Sequence, residues 1–161
     1  MKKKIILLVT ALLMTITASA QFEEGKLYSG ASLTGLNLSY NGADELNLGV
    51  QAKLGYMIED DLMLLGNASF QTSSSKGIPN SMSLGVGGRY YIEQNGIYLG
   101  VNAKFVHTKS YNDFMPGVEV GYAFFISRTV TIEPAIYYDQ SFKDHSKYST
   151  VGLKVGFGIY L

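Results

Sequence analysis

Cysteine is absent from the 161-residue sequence, and histidine occurs only at positions 107 and 145. Without cysteine, no disulfide can hold the fold together and no thiol can bind a metal ion. A lipoprotein anchor is excluded as well, because the lipid would be attached to a cysteine after the export signal. We therefore predict no metal site, no cofactor, and a fold that depends on hydrogen bonds and packing alone.

Charge is scarce. Asp, Glu, Lys and Arg make up 16% of the residues, and no basic stripe is present. This excludes the electrostatic footprint of a nucleic-acid-binding protein. Thirteen basic residues balance thirteen acidic ones, but three of the lysines lie at positions 2–4, so the chain beyond them carries about −3. The 18 glycines and 12 tyrosines, together with low charge, are typical of a sheet whose outer face meets lipid.

The first twenty residues have the pattern of a secretory signal peptide. Lys2, Lys3 and Lys4 precede an apolar run over 5–16, and Ala-Ser-Ala at 18–20 is a small-residue cleavage pattern. We predict cleavage after Ala20, which leaves residues 21–161 as one domain. An uncleaved membrane anchor is the alternative, although the apolar run is short for a spanning helix.

The remainder alternates apolar and polar residues with a period of two, which indicates β-strands with two different faces. No segment has helical periodicity. Two out-of-phase halves in the first strand predict a bulge near Thr34 and Gly35. The second strand alternates most cleanly, and the last strand has apolar residues at every odd position from Val151 to Leu161. The predicted strands cover about 26–40, 45–58, 62–72, 81–92, 97–108, 114–126, 130–142 and 149–161.

These strands exceed the ~5–6 residues usual in soluble proteins and suit a tilted membrane crossing of ~9–11 residues. The predicted fold class is all-β: an eight-stranded antiparallel up-and-down transmembrane β-barrel after a cleaved signal peptide. In hydrocarbon the first strand must pair with the last, because every backbone polar group needs an internal partner.

The two ends of the predicted barrel differ. Connections after the second, fourth and sixth strands are short, and the others tend to be longer, as in outer-membrane barrels. Aromatic residues also sort by end, which predicts two belts at the lipid–water boundaries. The short-turn belt would comprise Tyr28, Tyr56, Tyr90, Tyr98, Tyr122 and Tyr160; the other would comprise Tyr40, Phe70, Phe105, Phe114, Phe142 and Tyr148.

Alternation alone does not say which face points inward. In a soluble eight-stranded carrier the apolar face lines a ligand pocket, and this periplasmic alternative remains open. The polar face here is poor in charge and rich in glycine, as a narrow lumen requires. We therefore favour the membrane interpretation.

The final residues carry the spacing Lys154-x-Gly156-x-x-Ile159-x-Leu161. This ending resembles the C-terminal signal by which the outer-membrane assembly machinery recognises barrels. With the signal peptide and eight strands, the chain resembles the small OmpA- and OmpX-like outer-membrane barrels, often called porin family proteins. The resemblance implies the outer membrane of a Gram-negative bacterium, with its lipid and the barrel-assembly machinery as partners. Leu161 departs from the phenylalanine more common in the family. We expect no peptidoglycan-binding domain after the barrel, so cell-wall tethering is not carried over from the family.

Seven charged residues occupy the alternate strand positions whose side chains would point into the lumen, and most lie near the middle of the barrel's height. They are Lys53, Arg89, Lys104 and Lys154, with Glu119, Glu133 and Asp139. In an interior just wide enough for side chains, such charges must pair. We interpret them as a structural plug of ion pairs. A narrow ion path or proton-linked gate is the functional alternative, and a Glu119–Glu133 acid–base pair is a remoter one.

The sequence therefore predicts a non-enzymatic integral outer-membrane protein with a structural or surface-interaction role and a polar lumen filled by side chains. A small passive pore for ions or solutes is the first alternative. The loop at 73–80 is the best candidate for contacts outside the cell, but the sequence names no extracellular partner.

Overall fold

A computed structural model describes residues 22–36, 47–73, 81–92, 95–108, 112–142 and 149–161. The predicted signal peptide, Tyr40, Tyr148 and most of the 73–80 loop lie outside these ranges. Among the described residues, no helix has the length and hydropathy of a transmembrane span.

The described chain is a closed antiparallel β-barrel, as predicted. Its elements are β1 Leu27–Leu36, β2 Asn47–Glu59, β3 Leu62–Ser73, β4 Ser81–Tyr91, β5 Ile97–Thr108, β6 Asn112–Tyr122, β7 Phe124–Phe125, β8 Val130–Asp139 and β9 Thr150–Tyr160. β6 and β7 are one barrel strand interrupted at Ala123, since both pair with β8 in the same register, so the described barrel has eight strands. Each strand pairs with the next along the chain, and β1 pairs with β9.

The seam between the first and last strands closes the barrel. Tyr28 lies opposite Tyr160, and the pairing continues to Thr34 opposite Lys154. Beyond the end of β9, Leu27 and Leu161 exchange two backbone hydrogen bonds of 3.0 and 2.8 Å. Because β1 and β9 pair, neither presents an open edge.

Two details of the strands reflect backbone chemistry. The register of β1 against β9 shifts between Thr34 and Leu36, which confirms the predicted bulge. β8 ends at Asp139, whereas the prediction extended this strand to residue 142. The N–H of Gln140 still donates to the carbonyl of Pro116, but proline has no N–H to return the bond, and the ladder stops there.

The apolar face points outward along the whole barrel. Leu54 and Leu84 are each 69% exposed, and neighbouring strands continue this surface with Leu33, Val86, Val101 and Ile136. Soluble monomers rarely expose contiguous apolar patches beyond a few hundred Å². The orientation is the reverse of a soluble ligand carrier, which directs its apolar face inward.

The predicted aromatic belt at the short-turn end is wrong for half of its members. Tyr56 and Tyr90 do lie outside, but Tyr28, Tyr98 and Tyr160 point into the barrel and are buried. Their side chains occupy the alternate positions that point into the lumen: Tyr160, for instance, follows Gly156 and Gly158 on the inner face of β9. The prediction considered only how far along its strand each aromatic residue lies. It did not consider the alternation of side chains between the two faces, which decides whether a strand residue points inward or outward. At the opposite end, the predicted members Phe70, Phe105, Phe114 and Phe142 are exposed outward.

Candidate functional site in the barrel interior

Arg89 on β4 is the centre of the polar interior and is 1% exposed. Its Nε donates to Oε1 of Glu119 at 2.9 Å, and its Nη1 donates to Oε2 of Glu133 at 2.8 Å. The guanidinium carbon lies 4.1 Å from the ring centroid of Tyr98. A planar guanidinium suits this position because its rigid set of donors binds carboxylates while its face packs on an aromatic ring.

Glu119 on β6 is shared by three cations. Besides Arg89, Lys154 donates to its Oε2, and the Nζ of Lys53 lies 3.6 Å from its Oε1. All four side chains are buried. They come from β2, β4, β6 and β9, so the cluster crosses the lumen and joins strands that are not neighbours in the sheet.

Glu133 on β8 is satisfied by hydroxyl groups as well as by Arg89. Tyr28 donates to Oε2 at 2.9 Å, and Thr131 and Tyr160 donate to Oε1 at 2.9 and 3.2 Å. The Tyr160 hydroxyl also lies 2.8 Å from that of Tyr91. Such complete pairing is what a buried carboxylate requires.

Lys104 and Asp139 form a separate pair nearer the long-loop end, where Lys104 Nζ donates to Asp139 Oδ2. Beside them, Oδ1 of Asp139 and Oδ1 of Asn102 accept no hydrogen bond within the described part of the chain. A small polar cavity lies here, lined also by Gln51 and Asn67. The structure thus brings five of the seven predicted charges into one cluster and the other two into a second pair.

Two interior residues lie outside the predicted strands. Asp113 precedes the predicted strand at 114–126, but β6 begins at Asn112, and Asp113 is buried and accepts a hydrogen bond from Ser141 Oγ. Phe22 precedes the first predicted strand, which begins near residue 26, yet it is 0% exposed and the centroid of its ring lies 3.9 Å from that of Tyr91. A lone aromatic residue in an otherwise polar segment was the only signal in the sequence.

Between the ion pairs and the short turns, the lumen is filled by aromatic and other apolar side chains, which we call the aromatic layer. This layer packs against the Arg89 cluster through Tyr98 and Tyr28. Its members include Phe22, Tyr28, Met57, Met63, Tyr91, Tyr98, Phe125 and Tyr160. Two successive layers, one aromatic and one of ion pairs, therefore fill this half of the barrel.

The residues of the predicted assembly signal divide between the two faces of β9. Lys154 and Gly156 face the lumen, whereas Ile159 and Leu161 are exposed on the outer surface. Recognition of this ending by the assembly machinery remains a prediction.

The interior offers little to catalysis. Glu119 and Glu133 are buried, and both accept hydrogen bonds from Arg89, so neither carboxylate is open to a substrate proton. In the described ranges, no group of three or more His, Cys, Asp or Glu residues could hold a metal ion.

No protein-family model matches the chain, and no curated protein matches it. Its fold is similar to solved structures of small outer-membrane barrels. Neisserial surface protein A is 17% identical, with a TM-score of 0.57 over 83% of this chain and 95% of that one. The Yersinia pestis outer membrane protein Ail is 11% identical, with a TM-score of 0.55 over 86% and 100%. A de novo designed transmembrane β-barrel is 16% identical, with a TM-score of 0.55 over 86% and 98%. At these identities the likeness shows the fold: a small eight-stranded barrel of the transmembrane type.

Proposed function

We propose that the protein is a non-enzymatic integral outer-membrane barrel with a structural or surface-interaction role, and that its own side chains close its lumen. The observation that carries this proposal is that the barrel has its apolar face outside and its charged residues inside, the reverse of a soluble protein. Apolar residues such as Leu54 and Leu84 face outward, while a charged side chain, Arg89, lies inside the barrel and is 1% exposed.

The outer surface supports the membrane location. Apolar area left in water costs about 25 cal/mol per Å², and a girdle on every strand would make a soluble barrel aggregate. Lipid removes this cost, while the closed seam satisfies the backbone. The OmpA- or OmpX-like affiliation and the signal peptide remain parts of this proposal.

The filled lumen argues against the passive pore. A solute would have to displace the aromatic layer and then separate Arg89 from two carboxylates. Removing one partner from a buried ion pair costs about 3–5 kcal/mol, and Arg89 has further contacts to Tyr98 and Tyr28. We therefore expect no steady conductance.

The longer connections between strands are where surface contacts would be made, since barrels of this type place their longer loops outside the cell. Two natural barrels with the same fold are described as a surface protein and as an attachment invasion locus protein. We propose a comparable surface role for this chain.

Two measurements test the proposal. In the first, detergent-refolded protein is run on a denaturing gel with and without boiling, and we expect the two samples to migrate differently because a closed barrel resists the detergent. Identical migration of a protein that is soluble without detergent would overturn the membrane location.

In the second measurement, the protein is inserted into planar bilayers at high salt. Silence is expected, and reproducible channels would show that the lumen is open.

A further inference from the structure

The mouth of the barrel at the short-turn end holds one ring that does not come from the barrel wall. We propose that this mouth is a binding socket for a single aromatic ring, and that the segment just ahead of β1, Phe22 to Lys26, supplies that ring as a stopper. The socket consists of the rings of Tyr91, Phe125 and Tyr160.

Three ring contacts hold Phe22 in the socket. Its ring stacks on Tyr91 with centroids 3.9 Å apart and an interplanar angle of 14°. It meets the rings of Tyr160 and Phe125 edge-on, at 5.5 and 5.6 Å. Stacked and edge-to-face pairs are the preferred geometries of aromatic side chains. The ring of Phe22 is fully buried although it lies ahead of the first strand.

Backbone hydrogen bonds fasten the same segment to the first short turn. The N–H of Asp61 donates to the carbonyl of Phe22 at 2.8 Å, and Gly25 donates to Met57 at 2.9 Å. The N–H of Glu24 donates to the side chain of Asp60 at 2.9 Å. Gly25 has a φ of 88°, in the left-handed region, so the chain can turn there from the mouth into the barrel wall.

These contacts define the ligand that the socket takes. The ring of Phe22 needs only apolar and edge contacts, and its own carbonyl accepts the hydrogen bond from Asp61. The neighbouring side chains of Glu23 and Glu24 are exposed. The backbone carbonyl of residue 22 keeps the hydrogen bond from Asp61 when only the side chain is replaced, so the group that the socket itself recognises is one benzyl-sized ring. Such a group, supplied by another molecule, should enter the socket once the ring of Phe22 is removed.

The absence of tryptophan from the sequence allows a direct test of the stopper. Phe22→Trp places the only tryptophan of the protein in the socket, and Glu23→Trp places it one residue away on the exposed side; excitation at a wavelength that tyrosine does not absorb isolates its emission. In detergent-refolded protein, we expect blue-shifted emission and strong protection from acrylamide for Phe22→Trp only. Equal quenching of the two variants would overturn the stopper.

The socket is tested by adding the ring in trans. Phe22→Ala should lower the melting temperature by roughly 10 °C, because it leaves a cavity where a whole ring was buried. Millimolar benzyl alcohol should restore part of that loss, whereas the same concentration of ethanol should not. The wild type, whose socket is occupied, should not respond to either alcohol.

Equal responses of wild type and Phe22→Ala would show that benzyl alcohol acts through the detergent and would overturn the socket. An unchanged melting temperature in Phe22→Ala would overturn it too. If Phe22→Ala does not refold, Phe22→Leu replaces it as the cavity variant, with the same expected rescue. A Phe22→Leu variant that melts like the wild type would count against the requirement for a ring.

Discussion

Arg89 reaches Glu119 over a glycine. The two residues lie on β4 and β6, and the residue between them on β5, opposite both, is Gly100. A Cβ atom at Gly100 would lie 2.5 Å from Cγ of Glu119. The hydrogen bond from Arg89 to Glu119 therefore depends on a residue without a side chain on the strand that it crosses.

Gly100→Ala should destabilise the barrel by about 2–4 kcal/mol. The added methyl group has to displace the side chain of Glu119, and the displaced carboxylate moves away from Lys53 and Lys154, which it neutralises. Unfolding of the detergent-refolded protein by urea measures the loss. Gly66→Ala is the matched control, since a Cβ there would meet nothing within 4 Å, and its effect should stay within about 0.5 kcal/mol. Equal effects of the two substitutions would contradict the crossing geometry.

Glu133→Gln should lower the melting temperature in detergent while the strand content stays unchanged. The amide is nearly isosteric, but it no longer neutralises Arg89, which then has only Glu119 as its carboxylate partner. Circular dichroism reports both quantities in one experiment. Glu24→Gln, on the exposed N-terminal segment, should leave the melting temperature unchanged. A Glu133→Gln variant that melts like the wild type would exclude the structural role for this carboxylate.

Asp139→Asn should cost less stability than Glu133→Gln. The side chain of its partner Lys104 is 17% exposed, whereas that of Arg89 is 1% exposed. Water can therefore solvate the ammonium group of Lys104 when the carboxylate is neutralised, which weakens the penalty. The same melting experiment, run side by side, gives the order of the two variants. The reverse order would place the main electrostatic support near the long loops.

Val101→Arg should be far more costly than Ile97→Arg in lipid vesicles. Both side chains are exposed on the outer face of β5, but Ile97 is its first residue and Val101 lies nearer its middle. An arginine on the lipid face costs about 2–4 kcal/mol at the bilayer midplane and about 0–1 kcal/mol near the interface. Guanidinium unfolding in vesicles measures the difference. Near-equal effects of both substitutions would indicate that no lipid covers this strand.

The local pattern of the sequence was sufficient for the fold. A period of two assigns each residue to a face without knowledge of its neighbours in space, because the backbone of a strand alternates regardless of context. For this reason the antiparallel barrel and the bulge after Thr34 could be predicted. The period of two also placed charges such as Arg89 on one face, and the low charge and high glycine content of that face indicated that it points inward. The aromatic belt failed for Tyr28, Tyr98 and Tyr160, where position along the strand was considered without parity.

The tertiary structure alone decided which charges meet and what closes the mouth. Glu133 is 44 residues from Arg89 and Glu119 is 30, and no local pattern specifies either contact. Such contacts depend on the stagger of strands around the closed barrel and on the length of each side chain, which are properties of the whole sheet. The burial of Phe22 is likewise set by no local pattern, because it depends on Tyr91, Phe125 and Tyr160, which only the closed barrel brings together.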